Sequence, residues 1–385
     1  MKIRMVVRAL AAMSIMAVAL PAVPAAAQDI SIGVIVPLTG PAAPQGHAVK
    51  TAIEMAAAEI NAAKGIGGRK INVIVRDDQG QPANAVNIAQ DFIQKERLNF
   101  VVGPTLSSSA LAVAPLFTRA KVVALALVGA ADWNKPAQYP YAFQVLYSND
   151  LVAKAAVSYA IDTLGRKKFG QIGDTSAYAL GGMADTRKVI SEMGGEVVGQ
   201  EKHNMGDLDY SVQLQRLKDA GANVLNLWTI APTDVVRIIR KIQEMKWTDL
   251  YHVGPANIGL QPVLDGLGRD AYPKTFYYVC MRNMTHGNAK AEAYGKKYAA
   301  ARGKIDFPLY YSAIAYDSVY MLKAAIEGSA ADPDKVKQWL ESNSYQGVAA
   351  TYAAKPNDHQ MQTVDMIGNC SPLNYKDGLD ELVSK

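Results

Sequence analysis

From residue 30 onward, short continuous apolar runs alternate with longer stretches whose apolar residues recur every three to four positions. Ile30–Val36 reads as a buried strand, and 46–63 as a helix with Val49, Ile53, Ala56 and Ile60 on one face. Gly65, Gly67 and Gly68 end that helix. Strands at 70–76, 99–102 and 122–127 then interleave with helices at 83–96 and 108–119. This rhythm predicts a parallel sheet covered by helices on both faces.

The alternation restarts with a helix over 151–164. Strands at 168–173, 196–202, 223–228, 250–254 and 275–281 follow, separated by helices at 178–193, 210–220 and 233–245. Three helices at 288–301, 310–327 and 334–341 precede a tail of short strands and turns from Tyr345. The pattern predicts an α/β chain of two Rossmann-like lobes with parallel central sheets, joined by a three-strand hinge. The crossings fall near 145–149, 279–282 and 346–352. Lobe 1 is then 28–147 plus 283–347, and lobe 2 is 148–282 plus 348–385.

The first 27 residues read as a secretory signal peptide. Lys2, Arg4 and Arg8 form a positive head, 9–20 is apolar, and Pro21 and Pro24 precede a small-residue cleavage site at Ala27–Gln28. The alternative, a membrane anchor, needs a longer apolar run than this. A freely soluble periplasmic protein starting near Gln28 is the expectation.

The 385 residues, 50% hydrophobic and 19% charged, exclude wholesale disorder and exceed what one core usually serves. The net charge is +5, but without Lys2, Arg4 and Arg8 it is 37 basic against 35 acidic, or +2. A near-neutral body with no basic run carries no nucleic-acid footprint. Two cysteines, Cys280 and Cys370, exclude a disulfide scaffold and a four-cysteine zinc site. Whether they pair with each other stays open, because sequence does not give their separation.

No nucleophile elbow, zinc-protease motif, phosphate-binding loop or C-x-x-C is present. His47, His203, His252, His286 and His359 are scattered and read as surface or packing residues. Asp77-Asp78 ends a strand, and adjacent side chains point apart, so a loop role outranks a metal role. No metal, cofactor or catalytic set is expected.

One segment carries a positive signal. Residues 100–109 run from a strand through Gly103-Pro104 into Ser107-Ser108-Ser109 at a helix start. Free N–H groups and the positive end of a helix dipole favour an anion there. A single N-capping serine is the plainer reading, and three in a row tilt it toward a site. A second candidate loop, Gly129-Ala130-Ala131-Asp132-Trp133, follows the next strand. Tyr178, Trp228 and Asn257 occupy strand-end loops of the second unit, where open α/β sheets bind ligands.

The stretches 32–40, Ala57-Ala58-Glu59-Ile60-Asn61, Arg76-Asp77-Asp78-Gln79, 102–109 and Ala315-Tyr316-Asp317-Ser318 together resemble a known family. It is the leucine/isoleucine/valine-binding family of periplasmic solute-binding proteins, which serve ABC importers and have the type I two-lobe fold. The resemblance covers essentially the whole mature chain. It implies a monomer that closes around a small ligand and delivers it to an inner-membrane permease. It implies a ligand carboxylate at Ser107 and Ser108, contacts from Ala130 and Ala131, an aromatic partner at Tyr178, and Gln45 overhanging the site.

One departure bears on the ligand. Amino-acid binders of the family hold the ammonium with an acidic residue in a Gly-Pro-Glu-like loop, which here reads Gly254-Pro255-Ala256-Asn257. A buried ammonium without an anion is costly. The expectation is therefore a carboxylate without an ammonium, with an apolar or aromatic body against Tyr178, Trp133 and Trp228. The alternatives are an amino acid whose ammonium meets Asp132 or Asp207, a sensory receptor for the same ligand, and an exported α/β hydrolase. The hydrolase needs a nucleophile with a base, and no histidine has a placeable partner.

Overall fold

A computed structural model describes residues 28–305 and 307–383. The signal-peptide reading, with its cleavage at Ala27–Gln28, lies outside the described residues, apart from Gln28 itself.

The first lobe opens with β1 (Ile30–Val36), α1 (Ala43–Ala62), β2 (Ile71–Asp77), α2 (Pro82–Gln94), β3 (Phe100–Val102), α3 (Ser107–Ala120), β4 (Val123–Ala126) and β5 (Ala142–Gln144). The strands form one parallel sheet in the order β2-β1-β3-β4-β5. Its side chains alternate between two cores. Ile32, Val34 and Val36 join the cluster that includes Val49, Ile53 and Ile60 of α1, while Ile35 joins Phe92 of α2 and Phe117 of α3. A strand buried on both faces reads as a continuous apolar run, which is why the sequence shows one here.

The chain then crosses over. Val145 N–H donates to Ala126 O (3.1 Å) and Asn149 N–H to Gly129 O (2.7 Å), so this passage stays anchored to β4. The second lobe comprises α4 (Asn149–Ser158), β6 (Lys168–Asp174), α5 (Ala177–Glu192), β7 (Glu196–His203), α6 (Ser211–Asp219), β8 (Val224–Trp228), α7 (Pro232–Glu244), β9 (Tyr251–Gly254), α8 (Gln261–Leu267) and β10 (Phe276–Met281). A π-helical turn at Tyr159–Thr163 extends α4.

The chain returns to the first lobe with α9 (Ala289–Arg302), α10 (Leu309–Glu327), α11 (Pro333–Ser342) and the two-stranded pair β11 (Ser344–Gln346) and β12 (Thr351–Ala353). Helix α10 packs against α1. Finally β13 (Ile367–Cys370) completes the second sheet, in the order β13-β10-β9-β8-β6-β7, all parallel except β13.

The last crossing differs from the one read at 346–352. Ala353 N–H donates to Met361 O, Met361 N–H to Gln144 O, and Gln144 N–H to His359 O. Residues 353–361 therefore stay tied to β5, and the passage lies between Met361 and Ile367. The bonds that hold them are backbone bonds, which leave no hydrophobic pattern. The sequence reading also had no element at β5 or α8, both short.

Cys280 and Cys370 are joined, with Cα atoms 5.9 Å apart on the neighbouring strands β10 and β13. Among the described residues no helix is long and apolar enough to cross a membrane.

Candidate functional site

The carboxyl ends of the strands in both lobes face one cavity. Lobe 1 supplies Gln45 in the first turn of α1, Thr105 to Ser107 after β3, and Leu127 to Gly129 after β4. Lobe 2 supplies Tyr178 at the start of α5, Thr229 and Ile230 after β8, and Pro255 to Asn257 after β9. The first crossing adds Tyr147 and Asn149, and the start of α10 adds Tyr310 and Tyr311, with Phe307 just before it. The cavity volume is about 100 Å³. One water needs roughly 10–15 Å³, so a compact organic molecule fits and a large one does not.

Ser107 stands at the floor, 3% exposed. Its Oγ accepts a hydrogen bond from Ala130 N–H at 3.2 Å, which leaves its own proton free to donate. Helix α3 has Leu106 at its N-cap and no side-chain cap. Its first-turn N–H groups therefore lack the usual partner. Ser109 faces away, donating to the buried Asp78 at 2.8 Å. Burial pushes Asp78 above the ordinary carboxylate range, against the opposing bond from Ser109. Asp77 accepts from Leu38 N–H, Thr39 Oγ and Gln79 N–H, so this acidic pair organises a loop.

The aromatic wall comes from the first crossing (Tyr147), the start of α5 (Tyr178) and the start of α10 with Phe307 before it (Tyr310, Tyr311). Tyr147 and Tyr310 stack with centroids 5.9 Å apart, and Tyr310 meets Tyr311 edge-on at 6.0 Å. Tyr311 donates to the carbonyl oxygens of Leu127 and Thr105, and Gln45 Nε2 donates to Tyr311 Oη and, at 2.9 Å, to Thr105 O. Burial drives the phenols of Tyr147, Tyr178, Tyr310 and Tyr311 upward, so each stays protonated. Gly129 lets Asn149 approach the wall: a Cβ there falls 2.1 Å from Asn149 Oδ1, so a larger residue forces that side chain to shift.

Of the residues singled out from sequence, Gln45, Ser107, Tyr178 and Asn257 line the cavity. Five do not. Ser108 accepts a hydrogen bond from Ala177 N–H at 3.1 Å and so ties α3 to α5 across the cleft. Ala130 uses its N–H on Ser107, and Ala131 begins a short 3-10 turn beyond the cavity. Trp133 is fully buried in the outer core of lobe 1, its indole donating to Phe143 O at 3.0 Å. Trp228 is fully buried behind Tyr178, edge-on at 5.2 Å, and bonded to Asn226. Its ring lies on Gly182, where a Cβ falls 2.2 Å away. Neither tryptophan reaches the ligand space, because each is at a position facing the sheet or a helix.

No charged side chain lines the cavity among the described residues. Asp132 is exposed and paired with Lys135, and Asp207 is half-buried and accepts from Asn204 N–H, and neither lines the cavity. Neither replaces the missing acid. Asp174 lies behind the wall with its carboxylate already held by Ser176 N–H, Ile230 N–H and Thr229 Oγ.

Sequence reasoning missed Thr105, Tyr147, Asn149, Phe307, Tyr310 and Tyr311. The pair Tyr310-Tyr311 just after Pro308, at a helix start, was the one available signal. The buried histidines are packing groups: His252 is buried against Tyr277 O, and His359 stacks on Phe143 and bonds Glu341.

A family model described as periplasmic binding protein matches residues 29–368. The chain belongs to the periplasmic binding protein family. Among relatives of this binding protein is an amino acid binding protein of Pseudomonas aeruginosa, 26% identical over 83% of this chain and 84% of its own. Another is the Leu/Ile/Val-binding protein BraC3 of Rhizobium johnstonii, 28% identical over 83% and 85%. In fold it is similar to a type 1 periplasmic binding protein of Bordetella pertussis (TM-score 0.82, 23% identity, covering 89% of this chain and 96% of that one). It is also similar to LivJ of Streptococcus pneumoniae in complex with isoleucine (0.79, 22%, 92% and 98%). A Rhodopseudomonas palustris solute-binding protein in complex with 3,4-dihydroxybenzoic acid shares the fold as well (0.76, 21%, 89% and 93%). Such relatives and neighbours are substrate-binding proteins and not enzymes, which sets aside the hydrolase reading.

Proposed function

We propose that this protein captures a small carboxylate without an ammonium group between its lobes in the periplasm and delivers it, as a monomer, to an ABC permease. The observation that carries the reading is the cavity's composition. One side offers the Ser107 hydroxyl and the uncapped start of α3, the rest is aromatic and apolar apart from neutral polar side chains such as Gln45, Asn149 and Asn257, and among the described residues nothing charged is present to meet a cation. A carboxylate gains hydrogen bonds there, whereas a buried ammonium lacks an anionic partner. In this reading the lobes are 28–147 with 283–361, and 148–282 with 362–383, and the three passages between them bend as a hinge. A ligand that touches both lobes stabilises the closed form by differential affinity.

The relatives' names favour a second reading, a branched-chain amino acid. The discriminating experiment is isothermal titration calorimetry on refolded protein, since refolding removes ligand carried over from expression. Benzoate and branched 2-oxo acids are titrated beside leucine, isoleucine and valine. Heat from the acids and none from the amino acids supports the proposal, and the reverse result rejects it.

A further inference from the structure

The segment 371–383 leaves β13 in lobe 2 and returns to it, Val383 N–H donating to Asn369 O at 2.9 Å. Arg269 holds its first arm through the carbonyl oxygens of Leu373 and Tyr375, and Leu382 lies over Gly368. Between these arms the segment reaches the other lobe. Gly378 O accepts from Leu309 N–H at 3.3 Å. Asp380 N–H donates to Met284 O at 3.2 Å, and Asp380 O accepts from His286 N–H at 3.0 Å. Gly378, Leu379 and Asp380 are all buried.

Asp380 is where the two attachments meet. Its carboxyl accepts from Tyr278 Oη on β10, before the second passage, while its backbone bonds Met284 and His286, after it. The passage itself is a short 3-10 turn at Arg282–Met284. Bending there changes the separation of Tyr278 from Met284 and His286, which Asp380 holds together. Both Tyr278 and Asp380 are 2% exposed, so a bend that parts them leaves buried polar groups without partners.

Gly378 carries the second constraint. Its φ of +82° lies in the left-handed region, and a Cβ there falls 2.6 Å from Leu309 Cγ and 2.7 Å from Ile305 Cγ2. A larger residue displaces either the turn or the start of α10. The next two residues of α10, Tyr310 and Tyr311, wall the cavity, so the segment couples the hinge to that wall. Neither Gly378 nor Asp380 lines the cavity itself.

We propose that the segment 371–383 is a clasp on the hinge, with Asp380 as its positioning residue and Gly378 as its seat against α10, and that loosening it opens the cleft. The proposal rests on the three-passage hinge read above and not on the identity of the ligand. A clasp of this kind biases the lobes toward the arrangement in which the cavity is formed, before any ligand arrives.

The test reads cleft opening through one amide. Ala177 N–H is bonded to Ser108 across the cleft, so its exchange with solvent requires that contact to break. Exchange at Ala177, and at Val34 in the centre of the first sheet, is measured by NMR on refolded protein with no small molecule added. The chains compared are wild type, Gly378→Ala, Asp380→Ala and Asp380→Asn. The measurement is made at about pH 5, below the range in which Asp380 ionises. The expected result is that Ala177 exchanges roughly tenfold faster in Gly378→Ala and Asp380→Ala. Asp380→Asn keeps an acceptor for Tyr278 and should exchange as wild type does. Faster exchange at Val34 with an unchanged rate at Ala177 means that the segment supports the fold without restraining the hinge, and overturns the proposal. So does an Asp380→Asn that behaves as Asp380→Ala. Equal protection of Ala177 and Val34 in wild type means that the cleft does not open apart from unfolding; the hinge reading then fails too, which separates the two failures. Should Gly378→Ala not fold, the two Asp380 variants decide.

Discussion

Ser108 Oγ on α3 accepts a hydrogen bond from the Ala177 backbone N–H on α5 at 3.1 Å, which joins the two lobes directly across the mouth of the cavity. Its neighbour Ser107 lines the cavity itself. In the proposed reading the adjacent serines divide the work, one bonded across to α5 and the other meeting the ligand. Ser108→Ala removes one neutral hydrogen bond of about 0.5–1.5 kcal/mol from the closed form only, and is expected to weaken binding roughly 2–12-fold. Ser107→Ala removes a bond to a charged group and is expected to cost roughly 10–150-fold. Titration calorimetry on both variants checks the order. Equal losses, or a larger loss at Ser108, reject this division.

The aromatic residues separate in the same way. Tyr178→Ala strips a ring from the cavity wall and should lower affinity roughly tenfold or more. Trp133→Phe loses the bond to Phe143 O inside the core, which should lower stability by about 1–3 kcal/mol and leave affinity unchanged. Paired melting curves and titrations are the measurement. A change in affinity at Trp133 contradicts its placement.

The Cys280–Cys370 bond closes a 90-residue span that leaves lobe 2, passes through lobe 1 and returns. Chain entropy assigns such a loop about 4–5 kcal/mol. Replacing both cysteines by alanine, or adding reductant, should lower the melting temperature by roughly 6 °C. An unchanged melt in the alanine double variant contradicts this.

Asp380 is buried and bonded to Tyr278, and burial pushes its carboxyl up to about 7, the Tyr278 bond acting downward. The folded state therefore holds this proton more tightly than the unfolded chain, whose aspartate titrates near ~3.9. Stability from this group is present at low pH and is lost as pH rises from about 4 through about 7. His252, brought down to about 4 by burial, acts in the opposite sense between its ordinary value and about 4. The clean comparison is the difference between wild type and Asp380→Asn. Their melting temperatures should differ least near pH 4, separate as pH rises through 5 and 6, and lie furthest apart by pH 8, with wild type lower. A constant difference from pH 5 to pH 8 rejects the assignment.

Much of the fold was readable because buried parallel strands and amphipathic helices leave different periodicities. The run at Ile30–Val36 and the face of Val49, Ile53 and Ile60 are placed as the pattern predicts. The third passage was misplaced because backbone bonds between Gln144 and residues 359–361 hold it. The site was readable in part. Ser107, Tyr178 and Asn257 follow strand ends, where a loop is bound to face the cleft. Trp133 follows a strand end too and Trp228 is the last residue of β8, yet both pack inward.

The sequence by itself determined two α/β lobes, the family and the absence of an acid in the Gly254-Pro255-Ala256-Asn257 loop, since these depend on local pattern and residue identity. Only the tertiary structure decided which side chains meet. Tyr147, Tyr310 and Tyr311 share a wall though some 160 residues separate them, and Ser108 turns from its neighbour to the other lobe. Such meetings are set by how two sheets face each other, a long-range property that no single segment encodes.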